Sequence, residues 1–326
     1  MRTFAVGIAL LALVALLSLA VGTKGIAPGE VVRSLLHDDG SDAAAVVRDV
    51  RVPRLLLGLA VGVALGLAGA LMQALTRNPL ADPGLLGIDA GAAAAIVIAI
   101  AALHLADPAE YVWFAFAGAA AASVVVYLLG SGGRAGATPV RLALAGTTVA
   151  AALTAFTNGV TLLDPLAFND FRFWAVGALA GRDLGVLASV GPFLAAGAAI
   201  TLVLARPLNA IALGDDPGRA LGAAIGRTRA LGALAVTLLC GGATAVAGPI
   251  AFVGLTVPHA ARAIAGPDQR RVLAYSAVFA PILLISADVI GRVVVRPSEL
   301  EVGIVTALIG APVFIALVRH RRVAQL

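Results

Sequence analysis

Long apolar runs recur along the whole chain, and they decide what kind of protein it can be. Apolar residues make up 60% of the sequence and charged residues only 13%, whereas about a quarter of the residues of a soluble domain are charged. A helix crosses the roughly 30 Å of bilayer hydrocarbon with about 20 mostly apolar residues, because each residue advances it by about 1.5 Å. The chain is therefore predicted to be an all-α protein that crosses a membrane many times.

Ten segments of the sequence satisfy this length and composition. We predict spans at residues 3–21, 53–75, 85–105, 111–130, 139–163, 184–205, 230–247, 249–265, 272–292 and 303–318. The eighth span follows the seventh closely, because Gly248 and Pro249 leave almost no loop between them. No linker rich in proline or serine divides the sequence. We therefore expect one membrane domain over residues 1–326.

The first span has a second interpretation. Arg2, a long apolar run and the sequence Ser18-Leu-Ala20 also fit a signal peptide that is cleaved near Val21. The apolar region of a signal peptide has about 7 to 15 residues, and the run here is longer and is followed by many further spans. We therefore favour a permanent first span.

The distribution of basic residues predicts the orientation. An even number of spans puts both termini on one side, and 14 of the 23 arginine and lysine residues flank spans on that side. Cytoplasmic loops carry an excess of these residues, so both termini are predicted to be cytoplasmic. The net charge of +5 does not favour nucleic-acid binding, because the basic residues are scattered among short loops instead of forming one stripe. Lipid headgroups explain them better.

Glycine is expected to shape the packing of the second span. Gly58, Gly62 and Gly66 recur at every fourth residue, and small residues at this spacing let a neighbouring helix approach closely. We interpret them as packing positions and not as substrate contacts. The single cysteine, Cys240, lies inside an apolar span and excludes an internal disulfide.

The sequence offers little that could perform catalysis or hold a metal. Four histidines lie far apart, without a partner three or four residues away: His37, His104, His259 and His320. The only lysine, Lys24, is followed by Gly25 and does not fit the Gly-Lys-Ser/Thr order of a phosphate-binding loop. Charges are also scarce near the middle of the spans, which argues against a proton-coupled or ion-coupled carrier. We expect no catalytic residue, no metal site and an energy source in another subunit.

Five blocks of sequence, in a fixed order, carry a resemblance to one family. They are RVPRLLLGLAVGVALGLAGALMQALTRNPLADPGLLGIDAGA at 51–92, FWAVGALAGRD at 173–183, LNAIALGDDPGRALG at 208–222, AVAGPIAFVGLTVPHAARAIAGPDQRR at 245–271 and SADVIGRVVVRPSELEVGIVTALIGAPVF at 286–314. The chain resembles the FecCD family of ABC transporter permeases, the membrane subunits of type II importers for ferric siderophores, haem and cobalamin. Two positions depart from the family pattern. Asp89 stands where Ser or Asn is common and is expected to cap a helix, and Glu301 replaces a common Pro and is expected in a first helical turn.

The resemblance implies a ten-helix subunit that dimerises around a central pathway. Two ABC ATPase subunits would bind ATP and Mg²⁺ on the cytoplasmic side, so this chain would need no cofactor, and a periplasmic-type or lipoprotein binding protein would dock outside. Residues 207–229 resemble the ATPase-docking segment of the family. The docking positions are predicted to be Asp215, Asp216, Arg219, Ala220, Leu221 and Gly222. An ordinary solvated loop is the alternative for this segment.

On the outer side, three arginines match positions at which the family receives acidic residues of the binding protein. They are Arg51, Arg54 and Arg292. An ion pair of Arg292 with Asp288, four residues earlier on the same helix, is the competing interpretation. Arg51 and Arg54 could instead be interfacial anchors. For His259 and Arg262 we favour packing and snorkelling over a role in coupling.

The function implied by the resemblance is ATP-driven import of an intact ferric siderophore by alternating access. Haem and cobalamin are alternative cargoes within the same family. The block at 173–183 looks more like permeases that pair with a paralogous subunit, which favours a heterodimer over a homodimer. Rivals of other classes are a secondary transporter or channel that needs no ATPase, and a membrane scaffold without transport.

Overall fold

The computed structural model describes residues 2–105, 107–131, 138–220 and 222–320, and these form α-helices without any β-strand. The helices are α1 (Arg2–Ala20), α2 (Pro28–Leu36), α3 (Asp42–Ala45), α4 (Val52–Thr76), α5 (Ile88–Leu103), α6 (Pro108–Ser131), α7 (Pro139–Leu163), α8 (Pro165–Ala175), α9 (Leu184–Ala212), α10 (Asp215–Ala220), α11 (Ile225–Ala247), α12 (Val253–Ala265), α13 (Gln269–Val294) and α14 (Val302–His320). A π-helical turn (Val46–Arg51) leads into α4, and a 3₁₀ turn (Pro83–Leu86) precedes α5.

Each of the ten predicted spans coincides with one of these helices. Seven described helices are long and apolar enough to cross a membrane, and α5 and α14 contain shorter apolar stretches. The eighth predicted span is shorter than expected, because α12 begins at Val253 and has only 13 residues. The preceding residues cannot join it, since Gly248 has a φ of 75° and Phe252 a φ of 68°, which lie outside the right-handed helical region.

Three short helices, α2, α3 and α8, were not predicted. The helix α8 begins at an Asp-Pro pair, where the Asp164 carboxylate accepts hydrogen bonds from the backbone N–H groups of Leu166 and Ala167 at 3.0 and 3.1 Å. This is the usual way in which an aspartate starts a helix, with proline in the first position. The Asp-Pro pair therefore indicates the start of α8 in the sequence. It was overlooked because it directly follows a long apolar span.

The helix α4 lies at the centre of the bundle. Of its most apolar stretch, 78% of the residues are buried, compared with 22% in α1 and 11% in α7. A Cβ atom on Gly62 would lie 2.6 Å from Cα of Pro281 in α13, and a Cβ atom on Gly66 would lie 2.6 Å from the carbonyl oxygen of Ser276. Only glycine allows backbones to approach this closely.

The helix α1 is an integral part of the bundle. It packs against α13, where the rings of Phe4 and Tyr275 meet edge to face with their centroids 5.3 Å apart. A Cβ atom on Gly7 would lie 3.0 Å from the Phe279 ring. These contacts favour the permanent first span over the cleaved signal peptide.

We predict that Gly66→Ala destabilises the protein, whereas Gly159→Ala does not. The new methyl group at position 66 would collide with Ala280 and with backbone of α13, while a methyl group at position 159 of α7 would meet nothing within 4 Å. We expect a loss of about 1–3 kcal/mol for the first change and a gain of up to about 1 kcal/mol for the second. Thermal unfolding of the purified full-length variants measures both. Equal unfolding temperatures would contradict the close α4–α13 contact.

Candidate functional site

The short helix α10 lies at one end of the bundle, in the segment that was predicted to dock another subunit. The helix α9 continues to Ala212, seven residues beyond the predicted end of its span, and is followed by α10. Gly214 and Gly222, with φ values of 113° and 83°, make the turns on either side of α10. Positive φ is easily adopted only by glycine. The segment is therefore a defined helical element.

The carboxylate of Asp215 holds α10 to two spans. Its Oδ1 accepts hydrogen bonds from Nη2 of Arg77, at 3.2 Å, and from Nη2 of Arg229, at 3.0 Å. Arg77 caps the C-terminal end of α4, and Arg229 lies near the start of α11. Asp215 thus faces its own chain, and its direct contact with an ATPase stays a prediction.

The opposite side of α10 is open to solvent. The side chain of Asp216 is 94% exposed and pairs with Arg219 at 2.9 Å. Ala220 and Gly222 are also exposed, and Leu221 lies outside the described residues. Next to them Leu213, which was not among the predicted positions, is 63% exposed. These residues form the outward surface of α10, and their contact with an ATPase remains a prediction.

Asn209 ties the same segment to a third span, and this role was missed in the sequence. Its Nδ2 donates to Oδ1 of Asp268 at 2.9 Å, and its Oδ1 accepts from the backbone N–H of Gln269 at 2.8 Å. The hydrogen bond from Asn209 lowers the pKa of Asp268 below its ordinary value. Asp268 also accepts from the backbone N–H of Arg270 and so caps α13. The amide group of Asn209 therefore joins α9 to the start of α13.

The other end of the bundle contains a buried cluster of charges. Nε of Arg54 lies 2.9 and 3.1 Å from the two carboxylate oxygens of Asp288, and its Nη1 lies 2.7 Å from Oε2 of Glu299. Nη2 of Arg292 lies 3.0 Å from Oδ2 of Asp288. Nη2 of Arg54 also lies 2.7 Å from Oδ1 of Asp288, so Asp288 contacts Arg54 through two guanidinium nitrogens and neutralises two guanidinium groups.

Two arginines of this region also cap the C-terminal end of α1, and a third binds the turn that follows it. Arg292 donates to the carbonyl oxygen of Ser18 at 3.0 Å, and Arg51 donates to that of Leu19 at 2.6 Å and to that of Lys24. Arg296 donates to the carbonyl oxygen of Gly22. Cations at a helix C-terminus satisfy its open carbonyl groups and its dipole. The sequence did not reveal these contacts.

Arg51, Arg54 and Arg292, which were predicted to dock a binding protein, are all buried. They are 4%, 6% and 2% exposed. The intrahelical pair of Asp288 with Arg292, the competing interpretation, is present. Arg51 and Arg54 are not lipid-facing anchors, because their guanidinium groups point into the protein and are occupied there. Docking of a binding protein on these three arginines stays a prediction.

Asp89 and Glu301, the two residues that depart from the family pattern, do not occupy the helix positions that were predicted for them. Gly87 occupies the cap position of α5, and Asp89 lies in its first turn and accepts a hydrogen bond from Thr244 of α11 at 2.8 Å. Glu301 directly precedes α14 and does not lie in its first turn. Burial raises the pKa of Glu301, although Arg54 partly opposes this effect.

Arg262 also lies in a different environment from the one predicted. Instead of snorkelling freely, it donates through Nη1 to Oε1 of Gln73 at 3.1 Å, and Nε2 of Gln73 donates to the carbonyl oxygen of Leu255 at 3.0 Å. These contacts join α4 to α12. Within the described part of the chain, no group of three His, Cys, Asp or Glu side chains is arranged to hold a metal ion.

Comparisons with known proteins agree with this architecture. The sequence profile of the FecCD transport family matches residues 10–320. The chain is 49% identical, over 97% of its length and 94% of the relative, to the ferric enterobactin transport system permease protein FepD of Escherichia coli (strain K12). It is 41% identical, over 93% and 91%, to the probable siderophore transport system permease protein YfiZ of Bacillus subtilis (strain 168). A solved metal-chelate type ABC transporter in an inward-facing conformation shares the fold, with a TM-score of 0.87 at 24% identity, over 98% of this chain and 99% of that one.

We predict that Asp288→Asn strongly destabilises the protein. The change leaves Arg54 and Arg292 buried with much less compensating charge, and the loss of one member of a buried ion pair costs about 3–5 kcal/mol. Denaturant or thermal unfolding of the purified chain measures the effect.

The matched control is Asp38→Asn, which removes the same charge from an exposed pair with Arg48. We expect it to cost at most about 1 kcal/mol. A loss for Asp288→Asn no greater than that of the control would show that the buried cluster does not stabilise the fold.

Proposed function

Because the chain belongs to the FecCD transport family, we propose that it is the permease subunit of an ATP-driven importer that carries a ferric siderophore across the cytoplasmic membrane. It is a multi-pass membrane protein and a transport component, not an enzyme. The observation that carries the proposal is the attachment of α10, which is exposed on one side and bound to the spans on the other. An element of this kind transmits force from a partner into the membrane domain.

In the proposed mechanism, the chemistry occurs in two partner ABC ATPases. They bind ATP and Mg²⁺ and press on α10, while this chain needs no cofactor of its own. Movement of α10 passes through Asp215 to Arg77 and Arg229, and so to α4 and α11. Through Asn209 and Asp268 it also reaches α13. The spans then alternate between outward and inward access.

We propose that α7 faces the second permease subunit and the pathway. Only 11% of its most apolar stretch is buried in the isolated chain. Its surface exposes Phe156 together with the polar side chain of Asn158, and a polar side chain in a span usually faces protein or water instead of lipid. The sequence block at 173–183 resembles permeases that pair with a paralogous subunit, and for this reason we favour a heterodimer over a homodimer.

The cargo is proposed to cross as an intact chelate. Strong coordination by protein side chains would trap an iron ion, whereas a weakly binding passage releases the whole complex. The names of the two relatives, which refer to ferric enterobactin and to siderophores, favour a ferric siderophore over haem or cobalamin. A periplasmic-type or lipoprotein binding protein delivers it on the outer side, opposite the two cytoplasmic termini.

The experiment that tests this function is uptake of radiolabelled iron as siderophore complexes, with haem and cobalamin in parallel. Cells with and without the chain are compared, and the partner ATPase is disabled in a third strain. We expect loss of siderophore uptake in both deficient strains. Loss of haem or cobalamin uptake alone would change the cargo, and uptake that survives without the ATPase would favour a secondary transporter or channel.

We predict that Asp215→Asn uncouples transport without unfolding the protein. The change weakens two partly exposed ion pairs, each worth about 0.2–1 kcal/mol, so uptake is expected to fall by up to roughly 30-fold. Asp215→Glu keeps the charge and is expected to restore part of the uptake. Uptake at the wild-type rate in Asp215→Asn, at an equal membrane level, would refute the coupling role.

A further inference from the structure

Two open grooves lie side by side at the end of the bundle that carries α10. The first has a volume of about 650 Å³ and lies between α1, α12 and α13. Its apolar lining includes Phe4, Ile264 and Tyr275, and two cationic side chains, Arg270 and Arg271, complete it. Apolar walls and cationic residues thus occur in the same groove.

The second groove shares one of these arginines. It has a volume of about 460 Å³ and lies between α9 and α13, where it is lined by Leu202, Val203, Arg206, Arg270 and Leu273. Leu202 and Val203 are 68% and 73% exposed, as expected of side chains that face lipid. Arg270 therefore stands between two apolar grooves on the membrane-facing surface.

The positive charge of the grooves is largely uncompensated by the protein. Within the described residues, neither Arg206 nor Arg270 makes an ion pair, and Nε of Arg271 is 4.0 Å from Oδ2 of Asp268. Asp268 is also engaged by Asn209 and by the backbone of Arg270. No acidic residue lines either groove in the described structure. The grooves therefore attract an anion.

We propose that these grooves bind an anionic glycerophospholipid, with its phosphate on Arg270 and its neighbours Arg271 and Arg206. The acyl chains lie along Phe4 and Tyr275 in the first groove and along Leu202 and Val203 in the second. Basic pockets between membrane helices suit anionic lipid headgroups, to which each nearby arginine adds a favourable electrostatic contribution. A soluble phosphate would leave the apolar walls uncovered, and so the lipid is the occupant that satisfies both kinds of surface.

The position of the site gives the lipid a structural task. Arg206 lies three residues before Asn209 on α9, and Arg270 lies two residues after Asp268 on α13. A headgroup that contacts both arginines therefore braces the same α9–α13 junction that Asn209 holds. The proposed function makes the end of the bundle that carries α10 cytoplasmic, and the lipid would then belong to the cytoplasmic leaflet. Lipid binding itself does not rest on the proposed function.

The test measures lipid binding to the full-length chain in a mild non-ionic detergent by native mass spectrometry and thermal shift. The probes are phosphatidylglycerol, phosphatidylcholine and soluble glycerol 3-phosphate. We expect binding and stabilisation by phosphatidylglycerol alone. Each arginine contributes about a fivefold factor in affinity, so the double change Arg270→Gln/Arg271→Gln should weaken phosphatidylglycerol binding about 30-fold.

The matched control is Arg319→Gln, which removes an exposed arginine of α14 that lines neither groove. We expect wild-type affinity for phosphatidylglycerol in this variant, and an unchanged lipid-free unfolding temperature in the double variant. Unchanged phosphatidylglycerol affinity in the double variant would overturn the proposal, as would equal binding of phosphatidylcholine or an equal effect of glycerol 3-phosphate. Loss of ATPase binding in the double variant, with lipid affinity intact, would assign the grooves to the ATPase instead. Because the assay measures lipid binding and not transport, a negative result would overturn the lipid proposal without affecting the proposed siderophore transport.

Discussion

The close contact of α4 with α12 and α13 is the interaction on which the rest of the structure depends. Lipid chains are as apolar as leucine, so helices in a bilayer associate through tight packing and not through the hydrophobic effect. Gly62 and Gly66 bring α4 against the backbone of α13, and Gly69 does the same with Gly254 of α12. The remaining spans surround this centre, and α4 therefore fixes their relative positions.

Each end of α4 takes part in a network of charged side chains. In its first turn, Arg54 joins Asp288 and Glu299, and directly after its last residue the cap residue Arg77 contacts Asp215. A single rigid helix thus connects the surface proposed for the ATPase with the buried charge cluster at the far end. Contacts within one chain therefore link α10 to both ends of the bundle.

The sequence predicted the parts of the fold that depend on local composition. The ten apolar segments, the short helix around Asp215 and the glycines of α4 could be read from length, turn residues and spacing. Features that depend on distant residues could not be read in this way. Asp89 and Thr244 are 155 positions apart, and Arg54 and Asp288 are 234 apart. Because the residues that pair with a buried arginine are distant in the sequence, the sequence alone does not distinguish a buried arginine from an exposed one.

We propose that an ATPase drives transport through α10. The most direct measurement is uptake of an iron-siderophore complex into proteoliposomes that contain the purified permease and ATPase subunits, with the binding protein supplied at the face opposite α10. We expect uptake that requires ATP on the α10 side and is unaffected by ionophores that collapse proton and ion gradients. Uptake that continues without ATP and ceases when the gradients are collapsed would contradict it.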